Sequence, residues 1–301
     1  MSLSFARKCF VAIATLALSA AGLAQGLPKS ATNSRAEANA AVRQQKLDFL
    51  KTLSPSPDAT TTCSFTFTSG TNNNSLEYCV TINGNISEFQ MPIGHPLVST
   101  EDRSEGYAIC DVTNGDAQGH GRVAYSDFAT FGDSGNWGSP TVVSHSATSV
   151  KIARTSSDGV WTLTQTFTQQ ASPAAVKVTM ALKNNTPVKR EAFLMRWADV
   201  DADGSPLNNF DGTLSNAFAW NSITSAAAAP VGLLLENIGT LVGFGSEGFA
   251  QTTFLPPDPC NPGANFAAST VLNTDASYVL LYDIVLPSKG SKSVTLAYKG
   301  L

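Results

Sequence analysis

The chain has 301 residues, 43% of them hydrophobic and only 14% charged, with a formal net charge of −4. That is enough apolar material for one large domain or two small ones. A mildly acidic chain without basic clusters argues against nucleic acid or an anionic membrane as partner, and sparse charge with plentiful Ser, Thr and Asn is the composition of an extracellular β-protein.

The first residues sharpen that reading. Arg7 and Lys8 precede a mostly apolar run over 9–18, and small residues lead on to Gly22-Leu23-Ala24. This is the tripartite pattern of a secretory signal peptide over residues 1–24, with cleavage expected after Ala24. A membrane anchor is the competing reading, but the apolar run is short for a span, and no later stretch is long and apolar enough for one. The mature chain is therefore expected to be exported, secreted or periplasmic, with no membrane span. Losing Arg7 and Lys8 leaves 17 basic against 23 acidic residues.

Export changes the meaning of the cysteines. Cys9 leaves with the signal, and Cys63, Cys79, Cys110 and Cys260 remain. Four cysteines in an oxidising compartment favour two disulfides, with three connectivities open. Cys63 and Cys79 flank a hairpin and are expected to pair, which leaves Cys110 with Cys260. A thiolate metal site competes poorly, because no Cys-x-x-Cys is present.

After the signal, Ser34-Arg35-Ala36-Glu37 has the form of a capping box, and Ala40, Leu47, Leu50 and Leu53 recur at helical spacing. One helix is expected over 34–53, closed by the linker Ser54-Pro55-Ser56-Pro57, so that residues 25–57 form a helix and linker ahead of a β domain over 58–301.

From Thr60 onward the period changes to two. Ser64–Thr68 and Glu77–Ile82 alternate around the polar turn Gly70–Asn74. Trp161, Leu163 and Phe167 share one face of a strand whose other face is threonine, and Val176, Val178, Met180 and Leu182 line its partner. Further strands are expected over 191–198, 231–236, 240–244, 278–286 and 293–299. Many short strands with antiparallel connections and no internal repeat imply an all-β fold, a large antiparallel β-sandwich with one N-terminal α-helix.

The strand over 191–198 leads into Asp199, Asp201 and Asp203, at alternate positions before Gly204. Calcium takes six to eight oxygen ligands, which carboxylates at positions one, three and five of a loop begin to supply, while glycine at six permits the turn. The EF-hand ending is missing, since its twelfth position is Phe210 and Asp211 comes one residue late. The segment resembles the aspartate-rich calcium loops found outside EF-hands. Asp199, Asp201, Asp203 and Asp211 are the expected Ca2+ ligands, with Asn208 or Asn209 able to complete the shell and Arg196 able to orient a carboxylate from the adjacent strand. The competing reading is a solvated acidic turn, but carboxylates packed this closely repel unless something neutralises them.

Other motifs read as bland. His95, His120 and His145 stand in no His-Glu-x-x-His arrangement and are expected at loops or the surface. Gly132-Asp133-Ser134-Gly135 lacks the order and spacing of a catalytic triad, and Gly245-Ser246-Glu247-Gly248 lacks the first glycine of the hydrolase elbow, so both are expected to be turns. Trp161 and Trp197 alternate with apolar neighbours and belong to the core. Trp137 and Trp220, beside Gly and Asn, are expected nearer the surface, where aromatic rings can contact sugar.

Read together, Asn83-Gly84-Asn85-Ile86, Glu105-Gly106-Tyr107 with Cys110-Asp111, Trp161-Thr162-Leu163-Thr164-Gln165 and the run from Trp197 through Asp199, Asp201 and Asp203 to Gly204 resemble a group of secreted bacterial β-sandwich proteins. More distantly, the β region is similar to the supersandwich of galactose-mutarotase-like domains. The resemblance implies fold. The catalytic His and Glu of mutarotases match no motif here, so no catalytic residue is carried over.

The function expected from these features is that of a secreted, calcium-stabilised β-sandwich that binds a glycan or another cell-surface component. A carbohydrate-active enzyme using a carboxylate pair is the alternative from a different class. A structural or assembly protein acting through the N-terminal helix is the third.

Overall fold

The computed structural model describes residues 29–52, 61–98, 105–115, 120–172, 174–213, 215–221, 231–239, 246–261 and 270–300. The signal segment, the Ser/Pro linker and the strand expected over 240–244 lie outside these residues. The N-terminal helix α1 (Lys29–Thr52) starts five residues before the position expected from the capping box, so that box lies within the helix rather than at its start. Among the described residues no helix is long and apolar enough to cross a membrane.

Nineteen strands follow among the described residues. They are β1 (Phe65–Ser69), β2 (Leu76–Val80), β3 (Ile86–Gln90), β4 (Pro96–Val98), β5 (Glu105–Asp111), β6 (Val123–Phe128), β7 (Gly132–Asp133), β8 (Thr141–Ser146), β9 (Ser149–Thr155) and β10 (Trp161–Ala171). The series continues with β11 (Ala174–Asn184), β12 (Arg190–Asp199), β13 (Asn208–Gly212), β14 (Asn216–Asn221), β15 (Gly232–Asn237), β16 (Ser246–Gln251), β17 (Thr270–Thr274), β18 (Ser277–Leu286) and β19 (Ser291–Gly300). They form an all-β sandwich of antiparallel sheets: a four-stranded sheet β1-β2-β3-β4, a nine-stranded sheet β17-β13-β14-β15-β19-β11-β10-β9-β8 and a six-stranded sheet β16-β18-β12-β5-β6-β7.

Alternation decides which face each strand buries. In β10 the side chains of Trp161, Leu163 and Phe167 are buried while the threonines between them are half-exposed, and in register across from Leu163 and Phe167 lie Leu182 and Val178 of β11. Each such apolar side chain removed from water contributes about 1.5–3 kcal/mol. Strand β12 runs through the middle of the six-stranded sheet between β18 and β5, and it is covered on both faces. Its Ala192, Leu194 and Ala198 join the main core, whereas Met195 and Trp197 point the other way into a smaller cluster with Ala108, Phe128 and Val279. Both faces being covered explains why this strand carries apolar residues at successive positions.

Two disulfides brace the sandwich. Cys63–Cys79 ties the segment leading into β1 to β2, and Cys110–Cys260 ties β5 to the segment after β16.

Candidate functional site

Strand β12 ends at Asp199, and the chain then turns through Ala202–Gly204, with Asp203 and Gly204 both left-handed at φ 58° and 68°. Glycine takes that conformation freely, and Asp tolerates it better than most residues do. The turn is fixed by Asn208, whose amide donates to the backbone carbonyls of Val200 and Ser205 at 2.8 and 2.5 Å. Asn208 thus holds the loop through its main chain.

The turn brings Asp199 and Asp201 to a third carboxylate, that of Asp275, which lies in the short connection between β17 and β18. Their oxygens lie within 4.8 Å of one another. Lys46 of α1 enters this cluster. Its ammonium lies 2.5 Å from Asp199, donates to Asp201 at 2.9 Å, and stands 3.7 Å from Asp275. Lys46 is only 2% exposed. A buried lysine needs compensating charge, and here the acidic loop provides it. Beside the cluster a pocket of about 470 Å³ opens between α1 and the segment after β16, lined by Val42, Phe49, Thr253, Phe254 and Leu255 among others. Phe49 meets Phe254 edge to face with centroids 5.7 Å apart, and the Lys46 ammonium lies 5.5 Å from the centre of the Phe254 ring.

Three carboxylates converging at the end of one β-strand form a donor set that a hard divalent cation accepts. They cover part of the six to eight oxygens calcium requires. Of the four aspartates expected as ligands, Asp199 and Asp201 meet here. Asp203 instead accepts from His95 Nδ1 at 2.6 Å, and Asp211 stands on β13, its Oδ1 accepting from the Gly212 N–H at 2.8 Å. Asp275 and Lys46 were not legible beforehand. A lone Asp in a turn and a Lys on a helix each read as solvated groups.

Arg196 turns to a carboxylate of the neighbouring strand β5 and not to the aspartates expected as ligands. Its guanidinium pairs with Glu105 of β5 at 2.5 Å, and it donates to Tyr298 Oη at 3.0 Å, to Gln165 Oε1 at 2.6 Å and to the Gly84 carbonyl at 3.2 Å. Tyr298 and the Ile86 N–H also donate to Glu105, at 2.5 and 2.6 Å. Burial raises the Glu105 carboxyl against the opposing pull of Arg196, and desolvation of Arg196 is outweighed by the Glu105 carboxylate and the hydrogen bond to Tyr298, which hold the guanidinium above its usual range.

A second buried pair lies alongside. Arg154 binds Asp127, and also Asp133 at 2.9 Å, while Asn83 and Asn85 donate to Asp127 at 2.9 and 2.6 Å. The turn over 83–85 therefore inserts between the two ion pairs. Gly84, at φ +90°, sits where a Cβ would lie 2.5 Å from Gln165 Nε2, so glycine is required by both the backbone and the space. Both networks lie within the core and act as structural links between sheets.

The remaining motifs fall into place around these. Of the two motifs expected to be turns, Gly132 and Asp133 form β7, with Asp133 accepting the Gly135 N–H at 2.7 Å just beyond it, and Ser246, Glu247 and Gly248 lie in β16. Trp137 differs from expectation. It is 8% exposed, lying against Tyr107 and Tyr125 with Arg154 5.3 Å from its ring centre, because that cation and those rings offer its faces better partners than water. Trp220 is half-buried, stacked on Phe218.

No family model and no curated protein matches this sequence. In structure the chain is similar to a galactose mutarotase-like protein from Lactobacillus casei, at 9% identity and TM-score 0.47, over 79% of this chain and 100% of that one. It is also similar to a bacterial glucoamylase complexed with acarbose, at 12% identity and TM-score 0.45, over 82% of this chain and 34% of that one. A polysaccharide lyase aligns at 11% identity and TM-score 0.44, over 76% of this chain and 33% of that one. The resemblance to galactose-mutarotase-like proteins is thus a distant one of structure, without a family at the level of sequence.

Proposed function

We propose that the chain is exported and acts outside the cytoplasm as a calcium-stabilised β-sandwich that binds a glycan or another cell-surface component. The observation that carries the calcium part is the convergence of Asp199, Asp201 and Asp275 on one point. Carboxylate oxygens held this close repel one another, and a divalent cation added to the cluster, or exchanged for Lys46, relieves that repulsion. The proposed ligands are these three, with Asp275 in place of Asp203 and Asp211. The two disulfides support the export part, since such bonds persist in oxidising compartments.

A second reading rests on Lys46 itself. Its close pairing with Asp199 makes it a permanent counter-ion that docks α1, with no metal involved. Thermal unfolding separates the two. A ligand at a hundred times its dissociation constant adds about 2.7 kcal/mol, so millimolar calcium is expected to raise the melting temperature over that in EDTA for the wild type and not for Asp275→Ala. Equal melting temperatures in calcium and EDTA for the wild type leave Lys46 as the permanent partner and end the calcium reading.

A further inference from the structure

We infer that the outer face of the nine-stranded sheet carries a site for a neutral saccharide, built on Phe218 and Trp220. The inference rests on the glycan-binding reading above and adds the place and the residues. Strand β14 inverts the usual arrangement of a half-buried strand. Its inward positions hold the small side chains Ala217 and Ala219, both fully buried, while its two large aromatic residues point outward and remain half-exposed. Leaving Phe and Trp against water forgoes the stabilisation their burial would bring. The two rings stack with centroids 5.0 Å apart and planes at 21°, so each covers part of one face of the other and together they form a single apolar block on the sheet.

The strands on either side supply the polar margin. In register with Phe218 lies Asp211 of β13, and in register with Trp220 lies Asn209, whose Oδ1 accepts the Asn273 N–H at 2.9 Å and is held in place by it. On the other flank Trp220 faces Gly232 of β15, so that strand places no side chain over this edge of the indole. Glycine is required there, because a Cβ would lie 2.4 Å from the Ala219 carbonyl oxygen and 2.9 Å from Trp220 Cβ. Beyond Leu234, the Lys299 ammonium is paired with Glu236.

A pyranose presents an apolar C–H face and a rim of hydroxyls. The outward side of this aromatic block fits the first, and the carboxylate and amide beside it fit the second, accepting from and donating to vicinal hydroxyls. Charge selects among ring-shaped ligands. Asp211 and Glu236 flank the platform and the nearby lysine is already paired, so phosphorylated or sulfated ligands are repelled and an uncharged sugar is favoured.

Trp161 and Trp197 are fully buried and Trp137 nearly so, which makes Trp220 the tryptophan that solvent reaches. Acrylamide quenching of intrinsic fluorescence is therefore the readout, with maltohexaose, cellohexaose, xylohexaose and mannohexaose titrated separately into the mature protein. At least one is expected to protect the wild-type fluorescence, with affinity by calorimetry lowered at least tenfold in Trp220→Ala and Phe218→Ala and partly kept in Trp220→Tyr, which retains a stacking ring. Melting temperatures of the variants guard against loss of folding. Saccharide binding by calorimetry at equal affinity in Trp220→Ala overturns this site and leaves the glycan-binding reading intact. Absence of binding to all four hexasaccharides by the wild type overturns both.

Discussion

The Lys46 ammonium lies 2.5 Å from the carboxylate of Asp199, joining a helix at the start of the chain to the end of the central strand of the six-stranded sheet. Because Lys46 is buried, this contact and those to Asp201 and Asp275 fix where α1 rests on the sandwich. The same contacts put the helix in competition with any cation the aspartates bind. The proposed metal binding draws on the same oxygens that dock α1.

Lys46→Met tests that competition. Removing one partner of a buried charge cluster leaves the others uncompensated and costs about 3–5 kcal/mol. Thermal unfolding in EDTA is expected to show the variant less stable than wild type by about this amount. Millimolar calcium is expected to restore at least half of the loss, because the vacated oxygens become free to coordinate. A variant whose melting temperature is the same in calcium as in EDTA identifies the aspartates as a lysine seat alone.

The Arg196–Glu105 pair invites a double-mutant cycle. Arg196 makes four polar contacts from one planar group, and lysine, with a single point charge, cannot repeat them. Arg196→Met and Glu105→Leu singly are each expected to cost about 3–5 kcal/mol by urea unfolding, since each strands a buried partner. The double variant is expected to cost less than the sum by about 1 kcal/mol or more. Strict additivity would mean that the two residues do not stabilise one another.

Much of the sandwich was legible in the sequence because strand burial is a local pattern. The period of two over Trp161–Phe167 marks the buried face of β10, and the cysteine pairing follows from the hairpin between Cys63 and Cys79. Two of the three clustered carboxylates were legible for the same reason, since Asp199 and Asp201 lie in one loop. Lys46 and Asp275 were not, because each gains its meaning from a partner far away in the chain. Trp137 was misplaced for a related reason. Its polar neighbours in sequence suggested exposure, but its neighbours in space are Tyr107, Tyr125 and Arg154. The turn over 83–85 is buried between two ion pairs, a setting that its local sequence of Asn, Gly and Asn does not carry.

The two disulfides are expected to differ in what they contribute. Cys63–Cys79 spans 16 residues and Cys110–Cys260 spans 150. Chain-entropy scaling gives about 3 kcal/mol for the shorter loop and about 5 kcal/mol for the longer. Urea unfolding of Cys63→Ser/Cys79→Ser and Cys110→Ser/Cys260→Ser is expected to rank them in that order. The reverse order would show that the unfolded chain is already constrained near Cys110, or that the 63–79 link holds native contacts beyond its loop.

Asp127 gives the fold a pH dependence of its own. Burial pushes its carboxyl from 3.8 up to about 6, even though Arg154, Asn85 and Asn83 all favour the charged form and only the neighbouring Asp133 adds to the rise. The folded state therefore holds this proton more tightly than the unfolded chain does. The stability that the neutral carboxyl provides is fully present below about pH 4 and is lost as pH rises through about 6. A shift of about two units corresponds to about 3 kcal/mol. Urea unfolding of wild type and Asp127→Asn from pH 4.5 to 7.5 removes the titrations the two share. The advantage of wild type over the variant is expected to shrink by about 2 kcal/mol between pH 4.5 and 6.5 and then to level off. An advantage that grows with pH would mean that Arg154 and the two asparagine amides outweigh desolvation and keep Asp127 ionised throughout.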